Sequence, residues 1–186
     1  DPADLVDAWM YEQILDGDRG LIAHTFIVFE FDSTYGDRRW LGLSVETRRE
    51  RGETYSLAGG MLRSFEVTHI WATERDLVTR RVQYLYYPLT RYRLVLTPEQ
   101  RARIFTRFAE ETRDLASRPQ WYNTVARNCT SSLIQYVNEG RPGALPRHWS
   151  WVFTGRVDDY LGRLGYLDSS YRRPITRDWL ASHPLR

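Results

Sequence analysis

The sequence predicts an α+β domain in which an antiparallel sheet packs against helices. Three observations carry this. Two β-rich runs, Ala23 to Phe31 and Trp40 to Thr47, flank the turn-forming stretch Asp32 to Asp37. Thr97-Pro98-Glu99 supplies a helix N-cap, a proline at the first helical position and an acidic first turn. Strand signals gather in the first half and helix signals in the second, unlike the strict alternation of α/β folds.

Taken in order, Asp4 to Leu15 is predicted helical, because Leu5, Val6, Trp9 and Ile14 fall near one face. Gly17 and Gly20 then mark a turn. The strand at Ala23 to Phe31 is rich in Phe, Ile, Val and Thr. The strand at Trp40 to Thr47 puts Leu41, Leu43 and Val45 on one face and Gly42, Ser44 and Glu46 on the other. Phe65 to Ala72 is predicted as a third strand. Gln83 to Tyr87 and Arg91 to Leu96 are predicted as further strands, parted by Pro88. A helix follows from the Thr97 cap to about Ala116, closed by Pro119. After a short loop, Tyr122 to Asn128, Cys129 opens an apolar helix through Leu133, Ile134 and Val137 to Gly140. The Pro/Gly-rich stretch 141–146 leads to a last helix around Trp151 to Leu164. With no internal repeat or linker, residues 1–186 are expected to form a single domain.

Composition narrows the function classes. Hydrophobic residues at 42% and charged residues at 27% are globular values. A net charge of +2 is too small to argue for nucleic acid. All 26 basic residues are arginine, a bias of GC-rich bacterial genomes that also suits phosphate and carboxylate recognition. The aromatic content of 14% suits an amphipathic surface or an apolar cleft. No stretch approaches the roughly 20 apolar residues that span a bilayer. The opening Asp1-Pro2, without an initiator methionine or signal peptide, fits a trimmed exported chain and equally a segment cut from a longer one.

The single cysteine cannot form an internal disulfide, and neither a zinc-ligand spacing nor a Gly-rich phosphate loop occurs, so no metal or cofactor is expected. Cys129 sits between Asn128 and Thr130-Ser131-Ser132 at a predicted helix start. The unpaired N–H groups and partial positive charge there favour thiolate, the nucleophilic form. They could also hold an oxyanion. The bland alternative is a buried cysteine acting as a small hydrophobe. A thiol nucleophile needs a base, and four histidines are candidates: His24, His69, His148 and His183. His24, at the start of the first strand and the edge of the sheet, is best placed. A hairpin folded about Tyr35 sets Glu46 to Arg48 opposite His24, which makes Glu46 the first choice of orienting carboxylate. A register slip keeps Glu50 and Glu53 open. Arg48 and Arg49, in an arginine cluster beside that strand end, are candidate phosphate ligands. A solvated loop is the ordinary fate of such a cluster.

These residues carry a resemblance. His24-Thr25-Phe26, the run from Ser44-Val45-Glu46 through Arg48-Arg49-Glu50-Arg51 to Ser56, Tyr122-Asn123 and Asn128-Cys129-Thr130 together resemble the Lnb-type N-terminal periplasmic domain family. That family is similar to circularly permuted papain-like proteins of the NlpC and lecithin–retinol acyltransferase type. In those, the histidine precedes the cysteine in sequence. The resemblance implies a papain-like thiol enzyme with Cys129 as nucleophile, His24 as base and Glu46 as orienter. Asn128 and Thr130, the neighbours of Cys129, join Arg48 and Arg49 as candidate binding residues. The resemblance further implies a periplasmic location and acyl transfer through a thioester, from a phospholipid to a lipoprotein or peptide amine, with peripheral membrane contact. A cell-wall peptide amidase or endopeptidase and a non-catalytic binding or assembly module are the rival expectations.

Overall fold

The computed structural model describes residues 1–17, 20–32, 36–48, 65–122, 128–183 and 185; of Cys129 it describes the backbone. The architecture is α+β. Six antiparallel strands form one sheet in the order β4-β3-β2-β1-β5-β6. They are β1 (Leu5–Ile14), β2 (Ala23–Phe31), β3 (Arg39–Arg48), β4 (Glu66–Thr73), β5 (Leu89–Leu94) and β6 (Leu167–Ile175). The helices are α1 (Glu74–Thr79), α2 (Pro98–Ser117), α3 (Cys129–Gly140), α4 (Val157–Arg163) and α5 (Arg177–Ser182).

Helices cover both faces. On one face Met10, Ile27, Phe29, Leu43 and Val45 pack against Ile104 and Phe108 of α2, Leu133, Ile134 and Val137 of α3, and Val157 and Leu161 of α4. On the other, Trp9, Tyr11, Phe26 and Val28 pack against Leu77 and Val78 of α1, and Leu180 of α5 closes the far end. Gly42 permits close approach on that second face: a Cβ there would meet Leu77 Cδ1 at 2.3 Å.

Three sequence expectations are corrected. Residues 4–15 are mostly strand, because β1 lies mid-sheet between β2 and β5 and is buried on both faces. Burial on both sides erases the period-2 alternation that marks a half-buried strand, and the remaining apolar spacing mimics a helix. Gln83 to Tyr87 is no strand: α1 runs on into a π-helical turn, Arg80–Tyr84. The helix expected over 151–164 is shorter. Two 3-10 turns, Trp149–Trp151 and Thr154–Arg156, precede α4, and β6 and α5 follow it.

Other signals hold. Thr97 and Gln100 form a reciprocal capping box at α2. Phe26 pairs with Ser44 and Phe31 with Arg39, the register of a hairpin centred on Tyr35, which itself lies outside the described residues. Continued by two residues, that register sets His24 opposite Glu46.

Candidate functional site

The end of the sheet where β2 begins and β3 ends opens into a cleft of about 350 Å³. Its lining includes Gln13, His24, Glu46, Arg81, Tyr122 and Asn128. Val45 and Thr47 also reach it, so the cleft wraps the strand ends and draws on both faces of the sheet. Next to the lining residue Thr154 the chain is closely packed: a Cβ on Gly155 would meet the Gly20 carbonyl oxygen at 2.4 Å.

His24 Nε2 lies 2.7 Å from Ser44 Oγ and 3.2 Å from Glu46 Oε1. Ser44 Oγ donates to Glu46 Oε1 at 2.7 Å. Arg81 Nη2 donates to both Ser44 Oγ and Glu46 Oε1, each at 2.9 Å. Its Nε donates to Gln13 Oε1 at 2.8 Å and its Nη1 to the Leu77 carbonyl at 3.0 Å. The guanidinium also stacks 4.4 Å above the Phe26 ring.

Proton counting fixes the imidazole. The one hydroxyl proton of Ser44 goes to Glu46, and Arg81 fills one Ser44 lone pair. Ser44 can then only accept from His24, so Nε2 carries a proton and Nδ1 is the basic nitrogen. Burial opposes a charge on Glu46. His24, Arg81 and the Ser44 hydrogen bond outweigh it and hold the carboxyl well below the usual carboxylate range.

The helix that begins at Cys129 is capped by Asn128. Its Oδ1 accepts from the Thr130 and Ser131 amides at 2.9 and 2.7 Å, and its Nδ2 donates to the Trp151 carbonyl at 2.9 Å. Ser131 returns the bond through its Oγ, which accepts from the Asn128 amide at 2.8 Å, closing a capping box. Thr130 Oγ1 lies 3.1 Å from Thr25 Oγ1, so the residue after Cys129 is bonded to the residue after His24.

The structure thus brings His24, Glu46 and Asn128 to one cleft and ties Thr130 to its edge. The Cys129 side chain and Arg49 lie outside the described residues, as do Glu50 and Glu53. Arg48 points elsewhere, donating to Glu66 on β4 at 3.1 Å with a largely exposed side chain. Among the described residues, the arginines in the cleft are Arg80 and Arg81.

The other histidines are placed apart from this cleft. His69 is buried on β4, with Nδ1 2.8 Å from Thr112 Oγ1 and Nε2 3.5 Å from Glu111. His148 caps a 3-10 turn and stacks on Tyr160, and His183 stacks on Trp179.

Within this hydrogen-bonded network, Arg81 and Gln13 are residues that sequence reasoning did not single out, and Ser44 entered it only as a neighbour of Glu46. For Arg81 a signal exists. Leu77, Val78, Arg81 and Val82 lie at the spacing of one helical stripe, and a charge on an otherwise apolar stripe needs a buried partner. Among the described residues no cluster of His, Cys, Asp and Glu could hold a metal ion, and no helix is long and apolar enough to cross a membrane.

Fold and site together define an α+β domain that gathers a His–Ser–Glu–Arg network and the start of a cysteine-led helix at one sheet end. The family described as Lnb N-terminal periplasmic domain matches residues 1–159, and the chain belongs to that family. No curated protein and no solved structure matches it.

Proposed function

We propose that this domain is a thiol enzyme of circularly permuted papain-like design, acting through a thioester on Cys129. The observation that carries the reading is the placement of His24, its Nε2 held by Ser44 and Glu46, in the cleft that Asn128, the cap of the Cys129 helix, also lines. Nδ1 of His24 takes the thiol proton and the sulfur attacks an ester or amide carbonyl carbon. The tetrahedral intermediate collapses, and His24 returns the proton to the departing oxygen or nitrogen. An incoming amine or water gives its proton to Nδ1, attacks the thioester and expels the Cys129 sulfur. Because Asn128 occupies the Thr130 and Ser131 amides, the oxyanion donor in this reading is the Cys129 amide itself.

A phospholipid acyl donor and a lipoprotein or peptide amine acceptor fit best. Leu15, Ile22, Ile70, Leu85 and Val152 give the cleft apolar walls, and the exposed Arg80 supplies a cation for a phosphate. The periplasmic character of the family suits such substrates.

The test is the rate of Cys129 alkylation by iodoacetamide against pH, in wild type and H24A. A thiolate that persists well below the model thiol pKa of about 8.5, and is lost in H24A, supports the Cys–His pair. An ordinary thiol titration, unchanged in H24A, would turn the reading to a non-catalytic module. Turnover of peptidoglycan peptides without action on phospholipid would turn it to a cell-wall amidase.

A further inference from the structure

Arg81 is about 4% exposed, and its charge is therefore costly unless fully partnered. A single carboxylate would satisfy that need. Instead its fork reaches Gln13 on β1, Ser44 and Glu46 on β3 and the Leu77 carbonyl of α1, while its plane covers Phe26 on β2. The guanidinium bridges the strands on either side of His24. It shares both acceptors, Ser44 Oγ and Glu46 Oε1, with the imidazole.

We infer that Arg81 is the positioning residue of the His24 centre: it turns Ser44 and Glu46 so that the proton stays on Nε2, and its charge limits how strongly Glu46 stabilises the imidazolium. This rests on the thiol-enzyme reading above for its catalytic meaning. A resting thiolate, imidazolium, carboxylate and guanidinium sum to zero charge. Without Arg81 the remaining three groups around His24 would carry a net negative charge, with the exposed Arg80 too solvated to replace the buried guanidinium, and the imidazolium would cling to its proton when the leaving group requires it. Among the described residues, the titratable groups that share the cleft with His24 are Glu46 from β3, Arg80 and Arg81 from the turn after α1, and Tyr122 from the loop before α3. Gln13 and Asn128 contribute dipoles only.

The experiment is an NMR titration of the His24 ring in a C129A background, which removes the thiol from the balance. R81Q should raise the His24 midpoint by roughly one pH unit, and E46Q should lower it by a similar amount. A structural brace alone would not give opposite signs. Ring nitrogen shifts above the midpoint should report Nε2–H in the C129A parent and a mixture of tautomers in R81Q. An R81Q midpoint that is unchanged or lower, with native Phe26 and Val28 resonances, overturns the inference. Should R81Q fail to fold, R81K decides. Its retained charge should keep the midpoint within a few tenths of a unit, and a rise of a full unit would sink the electrostatic role. None of these measurements uses Cys129. A normal thiol titration would therefore defeat the enzyme reading and leave this one standing.

Discussion

Thr25 and Thr130 join through their side-chain hydroxyls at 3.1 Å, both almost wholly buried. The bond fastens the first turn of α3 to the strand that carries His24. T25V and T130V each remove one hydroxyl with little change of shape. Each is expected to cost about 1 kcal/mol in urea unfolding. The double variant should cost less than the sum of the two, by on the order of 0.5–1 kcal/mol, since one bond cannot be lost twice. Additive losses would show that the contact carries no energy.

Asn128 is the second fastening. N128A removes the acceptor for two helix-start amides and the donor to the Trp151 carbonyl, so a loss near the upper end of cap deletions, about 2 kcal/mol, is expected. N128D keeps the acceptor and gains from the helix dipole, but it sets a carboxylate oxygen against the Trp151 carbonyl. Its urea midpoint should fall between those of wild type and N128A. A midpoint equal to wild type would mean that the Trp151 bond is dispensable.

Glu46 gives an acid-side prediction. Its folded pKa lies well below the ordinary value. Its contribution to stability is therefore present above the unfolded pKa and lost only as pH falls through the folded one. At about pH 4, where a free glutamate is near half protonation, the Glu46 carboxyl signal in NMR should remain that of the ionised form. In R81Q its protonation should move upward in pH.

Glu12 gives the opposite sign. It is buried on β1, with Tyr92 on β5 and Asp158 on α4 sharing one hydrogen-bonded chain, and Arg172 and Asp159 nearby. Tyr92 Oη stands 2.8 Å from Asp158 and 3.4 Å from Glu12, so its single proton serves the nearer carboxylate. Burial first, then the Asp158 charge, pushes the Glu12 carboxyl up to about 8. Its folded pKa exceeds its unfolded value. Its contribution is therefore complete below the ordinary glutamate range and is lost as pH rises toward 8. Within that window stability should fall by up to about 1.4 kcal/mol per pH unit. E12Q, a neutral mimic, should flatten the decline. An unchanged slope in E12Q would assign it to another group.

Much of this site is legible in the sequence because it depends on local rules. The turn signal in the sequence between β2 and β3 anticipates the register that brings Glu46 within 3.2 Å of His24. Cap chemistry at Thr97 and Asn128 marks both long helices to within a residue or two. What escaped depends on tertiary context. β1 lost its alternation to burial on both faces. β6, mostly exposed and carrying Arg172, Arg173 and Pro174, has too few apolar positions to show a strand pattern. Arg81 reaches the cleft only because α1 continues into a π-helical turn over the sheet, which no motif announces.

The place of β1 in the sheet also orders events in time. β1 to β4 pair with successive neighbours and can zip together as they leave the ribosome or a translocation channel. The other side of β1 must wait for residues 89–94, and β6 later still. Until then the strand that ends in the middle of the sheet is an unpaired, largely apolar edge, open to any chain that offers a complementary strand. The interval between the emergence of β1 and that of β5 is the period in which this domain is most exposed to misassociation, and in which a holding partner would do most for its yield.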